Sequence, residues 1–163
     1  MTVSDALGRF ASPKAVVPAA MSTALLMRRR GGAPAIAVGT CLAVVAEESL
    51  KRVVWERRPR LVTGDPWRSF PSGHSSAASA YFMGLALVAP THRAMAVATA
   101  CLGAAAVNVM RLRARAHWPN DVVVGDVLGI GAAVVAYVAV RALERRRRPA
   151  AGVRSDEQFP GGR

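Results

Sequence analysis

The chain has 163 residues, the size of one domain, and 52% of them are hydrophobic while only 6% are aromatic. Ala, Val, Leu and Gly supply the apolar content, which suits closely packed membrane helices better than the core of a soluble domain. The formal net charge of +12, from 22 basic and 10 acidic residues, calls for an anionic partner. The basic residues sit in loops and at helix ends and do not cover an exposed helix face, which argues against a nucleic-acid-binding protein.

Residues 1–13 are mixed in character. An apolar run follows from Ala15 to Met27, interrupted by Pro18 and closed by Arg28, Arg29 and Arg30. It differs from a signal peptide, because the arginines follow the apolar run and no small-residue cleavage site appears. The second run extends from Ala35 to about Trp55, with Glu47–Lys51 and Glu48–Arg52 as i,i+4 pairs near its end. This reads as a membrane helix whose last turns emerge into the interface. Residues 56–71 form a polar loop in which Pro59, Gly64, Pro66 and Pro71 forbid a continuous helix.

The third run covers Ser72 to Ala89 and ends at Pro90, the fourth covers Ala94 to Met110, and the fifth covers Val122 to Leu143. A span of the hydrocarbon core needs about 20 residues, which the third and fifth runs approach most closely. No strand alternation appears. The expectation is an all-α, polytopic membrane bundle of about five helices over residues 1–148, with a disordered Gly/Pro-rich basic tail at 149–163. Cys41 and Cys101 lie in apolar runs without metal-ligand spacing, so they read as small buried hydrophobes.

Alternating spans sort the loops into two sets. One side receives Arg28–Arg30, Arg93 and the arginines of 141–148. The other receives three polar blocks: Lys51–Pro59, Pro71–His74 and Arg111–Asp121. Setting aside Lys51, Arg58 and Arg111 leaves about six basic residues on the block side against nine on the other. The positive-inside rule then places the blocks outside the cytoplasm.

Each block has an ordinary reading and a chemical one. Lys51 and Arg58 are seven apart in KRVVWERRP, so on one helix they would share a face and point at one anion; a lipid-attracting basic cluster is the alternative. In PSGH, Ser72 suits an N-cap and Gly73 allows close approach of a ligand to free backbone N–H groups. His74 then lies in the first turn. An incidental histidine in a capped helix is the alternative. In RLRARAHWPND, Asp121 follows His117 by four residues, a spacing that lets a carboxylate orient an imidazole; a capping Asp in a polar loop is the alternative.

Together the blocks resemble the type 2 phosphatidic acid phosphatase superfamily of membrane lipid phosphatases, whose signature is K-x6-R-P, then P-S-G-H, then S-R-x5-H-x3-D. Lys51, Arg58 and Pro59 match the first element, Pro71 to His74 the second, and Arg111, His117 and Asp121 the third. The resemblance covers roughly residues 35–143. One position departs: Met110 stands where the family has a serine. The family also commonly has six membrane helices, against five here.

The resemblance implies catalysis by His117 as nucleophile, Asp121 as its orienting carboxylate and His74 as acid. It implies that Lys51, Arg58 and Arg111, with Ser72 and Gly73, bind the phosphoryl group. Histidine can be charged and discharged near neutral pH, and fixed cations stabilise the transferring group. The expected substrate is a lipid phosphate or diphosphate, of polyprenyl or phosphatidic acid type, with no metal or other cofactor. A bacterial plasma membrane is the expected location. Met110 motivates the alternative of a catalytically weakened relative that binds anionic lipid or a partner. Trp55, Trp67 and Trp118 read as interfacial anchors or as the lining of a lipid entrance.

Overall fold

The computed structural model describes residues 10–60, 65–89 and 92–147. The expected tail at 149–163 and the stop at Pro90 lie outside these residues. Five helices follow in order: α1 (Pro13–Leu26), α2 (Pro34–Leu50), α3 (Gly73–Val88), α4 (Arg93–Arg113) and α5 (Pro119–Arg147). Among the described residues no strand forms; one isolated bridge joins Glu56 and Arg68. The all-α expectation and the count of five are borne out.

Proline opens α1, α2 and α5, where a missing N–H costs nothing. α1 runs through Pro18 without breaking. α3 starts on a capped serine: Ser75 N–H donates to Ser72 Oγ at 3.4 Å. Several boundaries differ from expectation. α2 ends at Leu50, five residues before Trp55, as its last carbonyls pass into turns through Val54. α3 is 16 residues long and α4 is 21, so α4 and α5 are the two described helices long and apolar enough to cross a membrane. α5 continues through the arginines to Arg147 for 29 residues.

α3 is the centre of the bundle and packs against all four other helices. Its buried face is Ser, Ala and Gly, so backbones approach closely. The contact with α5 is the most extensive, and it is close: a Cβ on Gly125 would lie 2.7 Å from the Ser72 carbonyl oxygen, and one on Gly129 would meet the Ser76 carbonyl oxygen closer still. α4 is peripheral, leans on α3 and barely meets α5; Ala100 is its one buried residue. The cysteines do not fit the buried reading. Cys41 and Cys101 are free thiols on the outer faces of α2 and α4.

The two ends of the bundle are now defined. At one, the end of α2, the start of α3 and the α4–α5 turn converge. At the other, the α1–α2 turn meets the end of α5, where Gly32 N–H donates to the Glu144 carboxylate at 2.9 Å.

Candidate active site

Lys51 and Arg58 reach the same place by a route the spacing did not suggest. α2 has ended, so the two do not share a helical face. Lys51 caps α2 and forms an ion pair with the buried Glu47 one turn back. Arg58 arrives on an extended segment. Its backbone N–H donates to Pro66 O at 2.9 Å, which closes the loop. Its guanidinium donates to Ala116 O and Arg68 O, each at 3.0 Å, and to Asp65 O at 3.3 Å. The second expected i,i+4 pair is replaced, because the Glu48 carboxylate takes Arg68 at 2.6 Å. Arg68 stays near because Ser69 N–H donates to Glu56 O at 3.0 Å.

His117 is 3% exposed, between α4 and α5. Its Nδ1 lies 2.9 Å from Ser69 O and 3.3 Å from Asp121 Oδ2, and both are acceptors. Nδ1 therefore carries the proton, and the Nε2 lone pair faces the Arg58 guanidinium at 3.2 Å. Asp121 Oδ2 also accepts from Ser69 Oγ at 2.5 Å and from Trp118 N–H at 2.9 Å. The carboxylate thus caps the first turn of α5 and fixes the imidazole with the same oxygen.

The start of α3 is tied to this pair, since Ser72 N–H donates to Asp121 O at 2.9 Å. Ser72 is fully buried, and its hydroxyl serves the cap and the Ser75 hydroxyl, which donates to it at 3.0 Å. Gly73 is glycine for a reason of packing. A Cβ there would lie 2.6 Å from Glu47 Oε1, the carboxylate that holds Lys51. His74 follows, half-buried in the first turn of α3. Arg111 lies in the last turn of α4, its Nε buried with no acceptor among the described residues.

Electrostatics agree with this convergence. Burial, then the charges of Arg58, Arg68 and Arg111, hold the Lys51 ammonium down to about 8, against the pull of Asp121. Burial also pushes the His117 imidazole below its usual range; the Asp121 hydrogen bond opposes this, and Arg58 and Arg111 add to it. Burial likewise lowers Arg58, which stays cationic. Two cations, Arg58 and Arg111, therefore act on one neutral, oriented imidazole, and Lys51 lies in the same field as Arg58, Arg68 and Arg111. Among the described residues no cluster of His, Cys, Asp and Glu suits a metal ion. A cleft of about 590 Å³, lined by Arg57, Arg58, Pro59, Pro66 and Trp118, opens beside the group.

Two contributors were not anticipated. Ser69 gives His117 a carbonyl and Asp121 a hydroxyl, and Arg68 adds a fourth cation. Their position just before PSGH was the one available signal. Met110 turns away and lines an apolar cavity of about 330 Å³ with Phe10, Val16, Ala78, Tyr81 and Phe82.

The class so defined is an α-helical bundle of small residues with a His–Asp pair set among cations at one end. The chain belongs to the PAP2 superfamily, whose sequence profile matches residues 32–145. It is similar to the lipid A 1-phosphatase of Rhizobium etli, 36% identical over 63 residues, which are 39% of this chain and 25% of that protein. The lipid A 1-phosphatase of Rhizobium johnstonii matches at the same identity over 24% of its length. The match thus covers about a quarter of these curated relatives. In fold it is similar to a transmembrane PAP2-type phosphatidylglycerolphosphate phosphatase from Bacillus subtilis. The TM-score is 0.69 at 20% identity, covering 90% of this chain and 77% of that one.

Proposed function

We propose that the protein is a membrane lipid phosphatase that hydrolyses a phosphate monoester or diphosphate through a phosphohistidine on His117. The observation that carries this reading is the fixed tautomer of His117. Nδ1–H is committed to Ser69 O and Asp121, which leaves Nε2 as nucleophile among the cations.

Arg58 occupies Nε2 in the resting geometry and moves its donors onto a phosphoryl oxygen when substrate arrives. Lys51 and Arg111 take the remaining oxygens, with Arg68 near them. Ser72 and the Gly73 N–H complete the pocket wall. As the P–O bond to the lipid breaks, His74 gives its proton to the leaving oxygen, and Asp121 balances the charge that forms on His117. Water, deprotonated by His74, then attacks phosphorus and frees His117. These roles need no metal, so phosphate release continues in excess EDTA; loss of turnover there would refute metal independence.

The substrate is a lipid phosphate at the headgroup layer, and a polyprenyl phosphate or diphosphate is our first assignment. The activities named for the relatives, on lipid A 1-phosphate and phosphatidylglycerol phosphate, are the competing assignments. Purified lipid phosphates of all these classes, with phosphatidic acid, presented in mixed micelles test this by phosphate release. Turnover of none of them would sink the phosphatase reading. We assign the site to the extracytoplasmic face of a bacterial plasma membrane, which labelling of an introduced cysteine at Arg57 with an impermeant reagent checks.

Met110 favours a second reading, a catalytically weakened relative that binds anionic lipid or a partner. It puts a thioether in an apolar cavity where the family has a hydroxyl. Phosphate retained on His117 after an alkaline quench with labelled substrate excludes it.

A further inference from the structure

One ionisable side chain lies deeper in the bundle than the proposed catalytic groups and outside the family signature. Asp126 is half-buried on α5, about 7.5 Å along the helix from Asp121. Both of its carboxyl oxygens are engaged from other helices. Ser79 Oγ–H on α3 donates to Oδ1 at 2.5 Å, and Asn108 Nδ2–H on α4 donates to Oδ2 at 2.6 Å. An ionisable residue inside a membrane bundle is costly and usually tied to function.

What this trio joins is informative. α4 packs closely on α3, where Gly103 faces the Phe82 ring, but it barely meets α5, so on the α5 side apolar packing does little to fix its rotation. The Asn108–Asp126 bond is the one described side-chain hydrogen bond from α4 to another helix. Asn108 lies three residues before Arg111, on the adjoining part of the same face. Arg111 must aim its guanidinium into the pocket from a helix held by packing on one side only. A few degrees of roll in α4 would swing that long side chain away from the oxygens that Lys51 and Arg58 contact. Ser79 stands five residues beyond His74 on α3, so the same carboxyl also ties the helix of the proposed acid to that of Arg111.

We propose that Asp126, through Asn108, is a positioning residue that sets the rotation of α4 and so aims Arg111 at the phosphoryl group. The inference rests on the phosphatase reading of the pocket. Asp126 itself touches no substrate.

The test uses the full chain purified in detergent and measures orthovanadate, a phosphoryl mimic, by titration calorimetry beside thermal unfolding. Asp126→Leu and Asn108→Leu should each weaken vanadate about tenfold. Asn108→Asp alone sets two carboxyl groups face to face and should weaken it at least as much. The exchange Asn108→Asp with Asp126→Asn restores a donor–acceptor pair between α4 and α5. In that exchange the amide carbonyl introduced at position 126 still accepts from Ser79. It should return affinity to within about threefold of the parent. If Asp126→Leu does not fold, Asn108→Leu keeps the Ser79 bond and decides the matter. Folded leucine variants that bind vanadate like the parent would overturn the proposal. So would an exchange that restores the unfolding temperature but not the affinity. A parent protein that binds no vanadate fails differently: it removes the phosphate pocket, and this role with it.

Discussion

Both ends of the bundle are rich in arginine, and counting charges does not tell them apart. At the α1–α2 end, Arg28–Arg30 and Arg145–Arg147 are exposed and solvated, and one described ion pair, Arg141–Glu144, forms there at 3.0 Å. At the other end Lys51, Arg58 and Arg111 are half-buried, and Arg58 is pinned by three backbone carbonyls. The first arrangement suits a headgroup layer, which needs charge but no geometry. The second holds charge at fixed positions around one imidazole, and that fixity is what the proposed catalysis requires and adhesion does not.

Substitutions at the two ends sharpen this contrast. The largest effect is expected at His117. His117→Ala should lower phosphate release by at least about 10³-fold while the protein still inserts, as measured by turnover and monodispersity. Arg58 comes next. Arg58→Ala should cost about 10²–10³-fold in kcat/KM, and Arg58→Lys nearly as much, because an ammonium cannot reproduce the three-carbonyl fork.

The pH profile is smaller and has a defined sign. In the proposed mechanism His117 attacks as the neutral imidazole, and burial holds it below its usual range, so the acid limb of kcat/KM should fall below pH ~6.5. The proposed phosphate contact needs Lys51 charged, and its ammonium is held down to about 8, so the basic limb should begin there. Lys51→Arg should move that limb upward by more than about one pH unit, because a guanidinium keeps its proton throughout this range. The smallest effect belongs to the far end. Arg145→Gln, Arg146→Gln and Arg147→Gln together should change kcat/KM less than about twofold in neutral micelles. A large loss from that triple variant would erase the distinction between the ends.

Much of this was legible in the sequence. Five apolar runs gave five helices, and three polar blocks met at one end. The details that failed share a physical cause. Lys51 and Arg58 were expected on one helical face, yet α2 stops at Leu50 and the loop carries Arg58 inward. The carbonyls of Asp65, Arg68, Ser69 and Ala116 that hold Arg58 and His117 belong to the backbone, and any residue could supply them. Glu48 chose Arg68 over its helical neighbour Arg52 because the loop folds back, a long-range event invisible to i,i+4 counting. Cys41 and Cys101 were misplaced because residues facing lipid and residues facing the core are equally apolar. The same ambiguity hid the difference between α3, mostly buried, and α4, almost wholly on the outside.

Gly73 carries a consequence beyond the pocket wall. The space its missing side chain leaves is filled by the Glu47 carboxylate, which in turn seats Lys51. Positions 47 and 73 are therefore bound in a size exchange across two helices. A methyl group at 73 displaces the Glu47 carboxylate or favours a shorter residue at 47, and either change loosens the anchor of Lys51. Homologues that depart from glycine here should depart at the acid as well, and a double-mutant cycle between the two positions should be strongly non-additive. The pair would drift through evolution as one unit, inherited or lost together.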